Sequence, residues 1–164
     1  MIISIDGATG QGKSEVLSAL QEEGYTVCYL PKMDGVTEFK AHQERLLAER
    51  IEKINAANER GEDLIVESSF SDIIIYTLFT VGLDYNHVEW IDDFCDRCNA
   101  ATVMVDHTLL LPPSTSDISR WFASVCYELA DWYHDDRPYS IVGLVYDDVI
   151  EDVKNCIQVL KRAT

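Results

Sequence analysis

The sequence predicts a single α/β domain spanning 1–164, with crossover connections between parallel strands. Two observations carry this. Short β-branched apolar runs recur along the chain, and each is followed by a longer segment with helical spacing. The chain has 164 residues, 47% of them apolar, which is enough for one buried core and too little for two ordinary domains.

The strands are expected at 2–5 (IISI), 26–30 (TVCYL), 64–67 (LIVE), 102–106 (TVMVD) and 140–145 (SIVGLV). All are short and rich in residues that suit strands buried on both faces. The first helix is expected over 13–23, with Gly24 as its stop. The second, 38–60, carries Phe39, Leu46, Leu47, Ile51 and Ile54 on one stripe and meets Gly61 at a C-cap position. Residues 72–82 are nearly all apolar and predict a buried helix. Further helices are expected over 87–97, over 117–133 after the break LPPSTS, and over 149–161, where Val149, Val153, Ile157 and Leu160 recur at helical spacing.

Charge narrows the partners. Thirteen Lys and Arg stand against twenty-nine Asp and Glu, a net of −16. Such a surface repels a nucleic-acid backbone, so no polymer of that kind is expected as a partner. A small anionic ligand needs only a few local donors. No apolar run approaches the roughly 18 to 20 residues that cross a bilayer, and no membrane association is expected. Five cysteines without a secretory leader read as reduced thiols, which makes the cytoplasm the expected location. Cys95 and Cys98 form a C-x-x-C on a predicted helix with no second ligand pair, so they read as buried or half-buried thiols. The aromatic residues crowding the second half, Trp90, Phe94 and Trp121 among them, read as core or interface. They permit a homodimer without requiring one.

The chemistry concentrates behind the first strand. Gly7, Gly12, Lys13 and Ser14 spell G-x-x-x-x-G-K-S between a predicted strand and a predicted helix. Successive backbone N–H groups of Gly7, Ala8, Thr9, Gly10, Gln11, Gly12, Lys13, Ser14 and Glu15 can cradle phosphates. Gly10 removes a side chain where the chain must pass close to a ligand. Lys13 reaches the outer phosphates and the Ser14 hydroxyl can bind magnesium. The helix that starts there adds its positive end.

Ligands of open α/β sheets bind outside the carboxyl ends of the strands, where Asp6, Glu67 and Asp106 are expected. Glu67, delivered by LIVESS, is placed to hold a magnesium-bound water or to orient an acceptor hydroxyl; helix capping is its alternative. Asp34 in LPKMDG reads either as a general base or as part of a turn. Asp6 reads as support behind the loop or as a water-mediated magnesium partner. Phosphoryl transfer needs cations, and Arg50 on the second helix and Arg120 in the STSDISR segment are the leading ones. On the acceptor side, His42 with Gln43 reads either as a hydrogen-bonding pair for a base or as satisfied surface residues, and one of Phe39, Tyr76 and Phe79 can stack on a base.

Two stretches, SIDGATGQGKSE and ERLLAERIEKINAANERGEDLIVESSFSD, together with the ending RPYSIVGLVYDDVIEDVKNCI, resemble the P-loop kinases of nucleosides and nucleoside monophosphates. That group includes thymidylate, deoxynucleoside and nicotinamide riboside kinases. The resemblance implies a three-layer P-loop NTPase fold whose five-stranded parallel sheet is ordered 2-3-1-4-5, with a lid over about 108–122. It implies ATP and Mg2+ as cofactors and a small nucleoside or nucleotide as substrate. Glu67 matches the acid after the third strand, with a magnesium or acceptor role. Arg50 resembles the helix arginine that contacts the acceptor, and Asp34 lies near the place of a carboxylate base. Two departures stand out: Ser68 occupies the place of the arginine that follows the acid, and the lid carries only Arg120 and later Arg137. The small, acidic, divergent sequence also has a phage-like character within that resemblance.

The expected activity is therefore ATP- and magnesium-dependent phosphoryl transfer to a nucleoside or nucleoside monophosphate. The alternative is a nucleotide-binding regulatory or interaction protein without turnover. A GTPase switch lacks its N-K-x-D and D-x-x-G motifs, and a nucleic-acid-driven ATPase lacks a basic track.

Overall fold

A computed structural model describes residues 1–7, 12–32, 38–81, 88–112, 140–143 and 148–163. Five strands form one parallel sheet: β1 Ile2–Asp6, β2 Val27–Cys28, β3 Leu64–Glu67, β4 His107–Leu110 and β5 Ser140–Gly143, in the order β2-β3-β1-β4-β5. Five helices are described: α1 Lys13–Glu22, α2 Phe39–Arg60, α3 Phe70–Val81, α4 Val88–Ala101 and α5 Val149–Ala163. The expected fold class and strand order are those observed.

Alternation along the strands builds the three layers. Ile3, Ile5, Ile65 and Leu109 point to one face, where they meet Val16, Leu17 and Leu20 of α1 and Val153 and Ile157 of α5. Ile2, Leu64 and Val66 point to the other and meet Leu46, Leu47 and Ile54 of α2, Phe70 and Ile73 of α3, and Phe94 of α4. Burying each such side chain contributes about 1.5–3 kcal/mol. The α2 helix ends where the sequence places its stop. Gly61 adopts φ 64, and the N–H groups of Gly61 and Glu62 close onto the carbonyls of Asn58 and Ala57. This left-handed turn favours glycine.

The fourth strand is a correction. The run 102–106 was expected in the sheet, but Thr102–Met104 form a short 3-10 turn closing α4, and the strand is His107–Leu110. Burial decides between two adjacent apolar runs: Val103 is 60% exposed, whereas Leu109 is 0% exposed. Asp106 consequently sits at the start of β4, where its Oδ2 accepts the Ile2 N–H at 2.7 Å. It lies at the opposite end of the sheet from the carboxyl edge. The α3 helix also starts two residues earlier than expected, because Ser69 caps it. Residues 108–110 of the expected lid belong to β4. The rest of that segment beyond residue 112 and the expected helix 117–133 lie outside the described residues, as do Ala8, Thr9, Gly10, Gln11, Asp34 and Arg120.

Candidate active site

The register puts the ends of three strands side by side. Ile5 pairs with Glu67 of β3, and Asp6 pairs with Leu110 of β4. Asp6 and Glu67 therefore share the carboxyl edge of the sheet, beside the start of α1. Gly12, at φ 80, precedes α1 and, having no side chain, cannot cap that helix itself. The N–H groups of a helix's first turn have no partner within the helix, and such a terminus suits an anion. Ser14 and Glu15 are exposed in the first turn.

Lys13 turns toward the β3–α3 connection. Its Nζ donates to Ser68 Oγ at 3.1 Å and to Asp72 Oδ2 at 3.3 Å. Ser68 itself has φ 64, a left-handed conformation rare for a residue with a Cβ. Three contacts hold that turn. The Ser68 N–H donates to the Ile5 carbonyl at 2.9 Å. Arg50 Nη1 donates to the Ser68 carbonyl and Nη2 to the Glu67 carbonyl, each at 2.6 Å. Arg50 is buried, and burial pulls its pKa down while Cys28, Asp6, Glu67 and Asp72 push it back up. The guanidinium remains a cation at any ordinary pH.

Behind the turn, Asp6 accepts both the N–H and the hydroxyl of Ser69, at 2.6 and 2.5 Å. The Ser69 hydroxyl in turn accepts the Asp72 N–H at 3.2 Å, capping α3. In a reciprocal capping box the third helical residue returns its carboxylate to the cap's N–H. Here Asp6 takes that N–H, so the Asp72 carboxylate faces Lys13 instead. Burial, with the Asp72 charge adding to it, pushes the Asp6 carboxyl up to about 7; the Ser69 hydrogen bonds and Lys13 pull the other way. Sequence reasoning missed Asp72 and Ser69, although the S-x-x-D spacing of a helix start was legible.

The Glu67 side chain is half-buried, and its Oε2 accepts the Leu30 N–H at 2.8 Å, tying β2 to β3. Magnesium prefers hard oxygen donors and usually binds through one or two protein oxygens together with substrate phosphates. The Ser14 hydroxyl and the Glu67 carboxylate have that chemistry. Among the described residues no group of three or more His, Cys, Asp or Glu could hold an ion. A hydroxyl and a carboxylate are hard donors of the kind that suits magnesium.

The residues expected on the acceptor side meet at the seam where α2 and α3 approach each other. Phe39 and Tyr76 rings lie 6.2 Å apart. Gln43 Nε2 donates to Thr77 Oγ1 at 2.8 Å, and Thr77 Oγ1 donates to the Ile73 carbonyl at 2.7 Å. Gln43 is buried, yet its Oε1 has no hydrogen-bond partner among the described residues. Seven helical residues separate Gln43 from Arg50, a rise of about 10 Å. The seam therefore runs from the aromatic pair down to the turn that holds Lys13. Cys95 and Cys98 lie on α4 as free thiols, and burial pushes Cys98 up to about 12.

The helix that begins behind Gly12 at the end of β1 and the 2-3-1-4-5 parallel sheet define a P-loop kinase-like fold. Solved structures with this fold cover nearly the whole chain. Thymidylate kinase from Ehrlichia chaffeensis matches with a TM-score of 0.64 at 17% identity, covering 98% of each chain. Thymidylate kinase from Candida albicans matches with a TM-score of 0.62 at 16% identity, covering 98% of this chain and 92% of that one. Deoxyadenosine kinase from M. mycoides, with dCMP and dCDP bound, matches with a TM-score of 0.64 at 18% identity, covering 97% and 100%. No family model matches the sequence, and no curated protein does. At such identities the likeness is one of fold.

Proposed function

We propose that the protein is a kinase that transfers the γ-phosphoryl group of ATP to a small nucleoside or nucleoside monophosphate. The observation that carries this reading is the placement of Lys13 and the start of α1 at the carboxyl edge of the sheet, next to the β3–α3 turn that begins at Glu67. Backbone N–H groups there suit the phosphates, and Lys13 offsets negative charge on the outer ones. Ser14 and Glu67 are the residues that would hold magnesium, which supplies charge neutralisation at the phosphates when bound.

The acceptor would lie along the α2–α3 seam. Gln43 offers an unpaired oxygen to an N–H of the base, and Phe39 and Tyr76 offer ring faces. The distance from Gln43 to the base of the seam suits a nucleoside reaching from its base edge to its 5′ oxygen. Arg50 acts at that base through the turn it holds. Asp34 and Arg120 complete the proposal, as acceptor base and as a cation on the migrating group. The chain is proposed to work in the cytoplasm, without nucleic acid or membrane, alone or as a homodimer; no described helix is long and apolar enough to cross a membrane.

The test is product formation. The protein is incubated with ATP, magnesium and a panel of deoxynucleosides, nucleoside monophosphates and nicotinamide riboside, and phosphorylated products are resolved by chromatography. Acceptor-dependent ADP release that disappears in Lys13→Ala is the expected result. ATP binding without any acceptor-dependent turnover would overturn the kinase reading in favour of a nucleotide-binding regulatory protein.

A further inference from the structure

Lys13 is the cation of the phosphate site, and its ammonium is already engaged. It pairs with Asp72 at 3.3 Å, with side chains only 15% and 6% exposed, and it donates to Ser68 Oγ. An ion pair this far out of water is held more firmly than a surface one, because neither partner is easily rehydrated. Asp72 is free to make it because Asp6 has taken the Ser69 N–H that the Asp72 carboxylate would otherwise satisfy. A phosphate ligand must therefore draw Lys13 away from a buried carboxylate or share it with one. Among the described residues, Asp6 on β1 faces both members of this pair and Arg50 on α2 faces Asp72.

We infer that Asp72 is a specificity-determining residue of the phosphate site, a counter-ion that yields Lys13 to a nucleoside triphosphate and withholds it from a diphosphate. The inference rests on the kinase reading and adds to it. Giving up the Lys13–Asp72 pair is offset only by a ligand with many anionic oxygens within reach of Lys13. The γ-phosphate supplies these and the β-phosphate alone supplies fewer. The diphosphate left after transfer loses Lys13 back to Asp72, which favours its release.

The test compares binding of ATP and ADP, with magnesium, to wild type and Asp72→Asn by isothermal titration calorimetry. Asparagine keeps the size of the side chain and an oxygen for Lys13 while removing the charge, and the capping N–H is backbone. The expected result is tighter ATP binding by about tenfold, the scale of one modest ion-pair contribution. ADP should tighten more, so that the ADP-to-ATP ratio of Kd values narrows at least threefold. Ser68→Ala, which weakens the hold on Lys13 and leaves the charge in place, should shift both values in the same direction by less. Asp72→Glu, which restores the charge, should return the wild-type preference. Unchanged or weaker ATP binding in Asp72→Asn, or equal tightening of both nucleotides, would overturn the inference alone. A wild-type protein that binds neither nucleotide would overturn the kinase reading and this inference with it.

Discussion

Asp6 and Ser69, 63 positions apart in sequence, are joined by two hydrogen bonds, N–H to Oδ1 and hydroxyl to Oδ2. Through them the end of β1 fixes the start of α3. The Ser69 hydroxyl also accepts the Asp72 N–H, so one oxygen serves both a buried acid and a helix cap. Ser69→Ala removes both contacts in a dry setting and is expected to cost about 2–3 kcal/mol of stability. Ser69→Thr keeps the hydroxyl and should recover most of it. Urea unfolding measures the difference, and a Ser69→Ala variant as stable as wild type would contradict this account.

The raised Asp6 carboxyl makes stability depend on pH in a stated direction. Its pKa is about 7 in the folded chain against 3.8 for an ordinary aspartate. Between those values the folded protein binds more protons than the unfolded one. Stability from this group is therefore fully present below pH 3.8 and is lost as the pH rises through about 7. Asp6→Asn resembles the protonated form: its oxygen can accept the Ser69 N–H and its amide can donate to the Ser69 hydroxyl. The variant should exceed wild type by a margin that is small at pH 5 and larger at pH 8. Melting temperatures of both proteins across that range decide the matter.

Arg50 bonds two carbonyls and is 3% exposed. Arg50→Met fills similar space but leaves the Glu67 and Ser68 carbonyls without that donor, at a turn already strained by the φ of Ser68. The expected loss is about 2–4 kcal/mol, with Arg50→Lys retaining part of it. Chemical denaturation without ligand reads this. A residue that only contacted an acceptor would leave ligand-free stability unchanged.

Local features were legible in the sequence, and long-range ones were not. The strand–loop–helix around Gly12 and Lys13 is contiguous, so spacing alone located it, and the Gly61 stop is likewise a property of adjacent residues. The fourth strand was misplaced because TVMVDHTLLL contains two apolar runs, and only contact with β1 selects the second. Arg50 could be placed on α2 but not on the carbonyls of a turn 17 and 18 residues away. Asp72 went unnoticed for a related reason. A carboxylate at the third position of a helix ordinarily returns to its own cap, and only Asp6 arriving from another strand releases it toward Lys13.

Gln43 offers a test that separates stability from the proposed acceptor binding. Its Nε2 is engaged by Thr77, while the buried Oε1 has no partner among the described residues, a state that costs about 1–3 kcal/mol. Gln43→Leu removes that oxygen and preserves apolar bulk, although Thr77 Oγ1 loses a donor while still bonding the Ile73 carbonyl. The variant is expected to remain within about 1 kcal/mol of wild-type stability. Its KM for the acceptor should rise at least about tenfold with little change in KM for ATP, the cost of losing one hydrogen bond to a bound base. Steady-state kinetics with each substrate varied in turn measure the split. Equal effects on both KM values, or none on either, would remove Gln43 from the acceptor site.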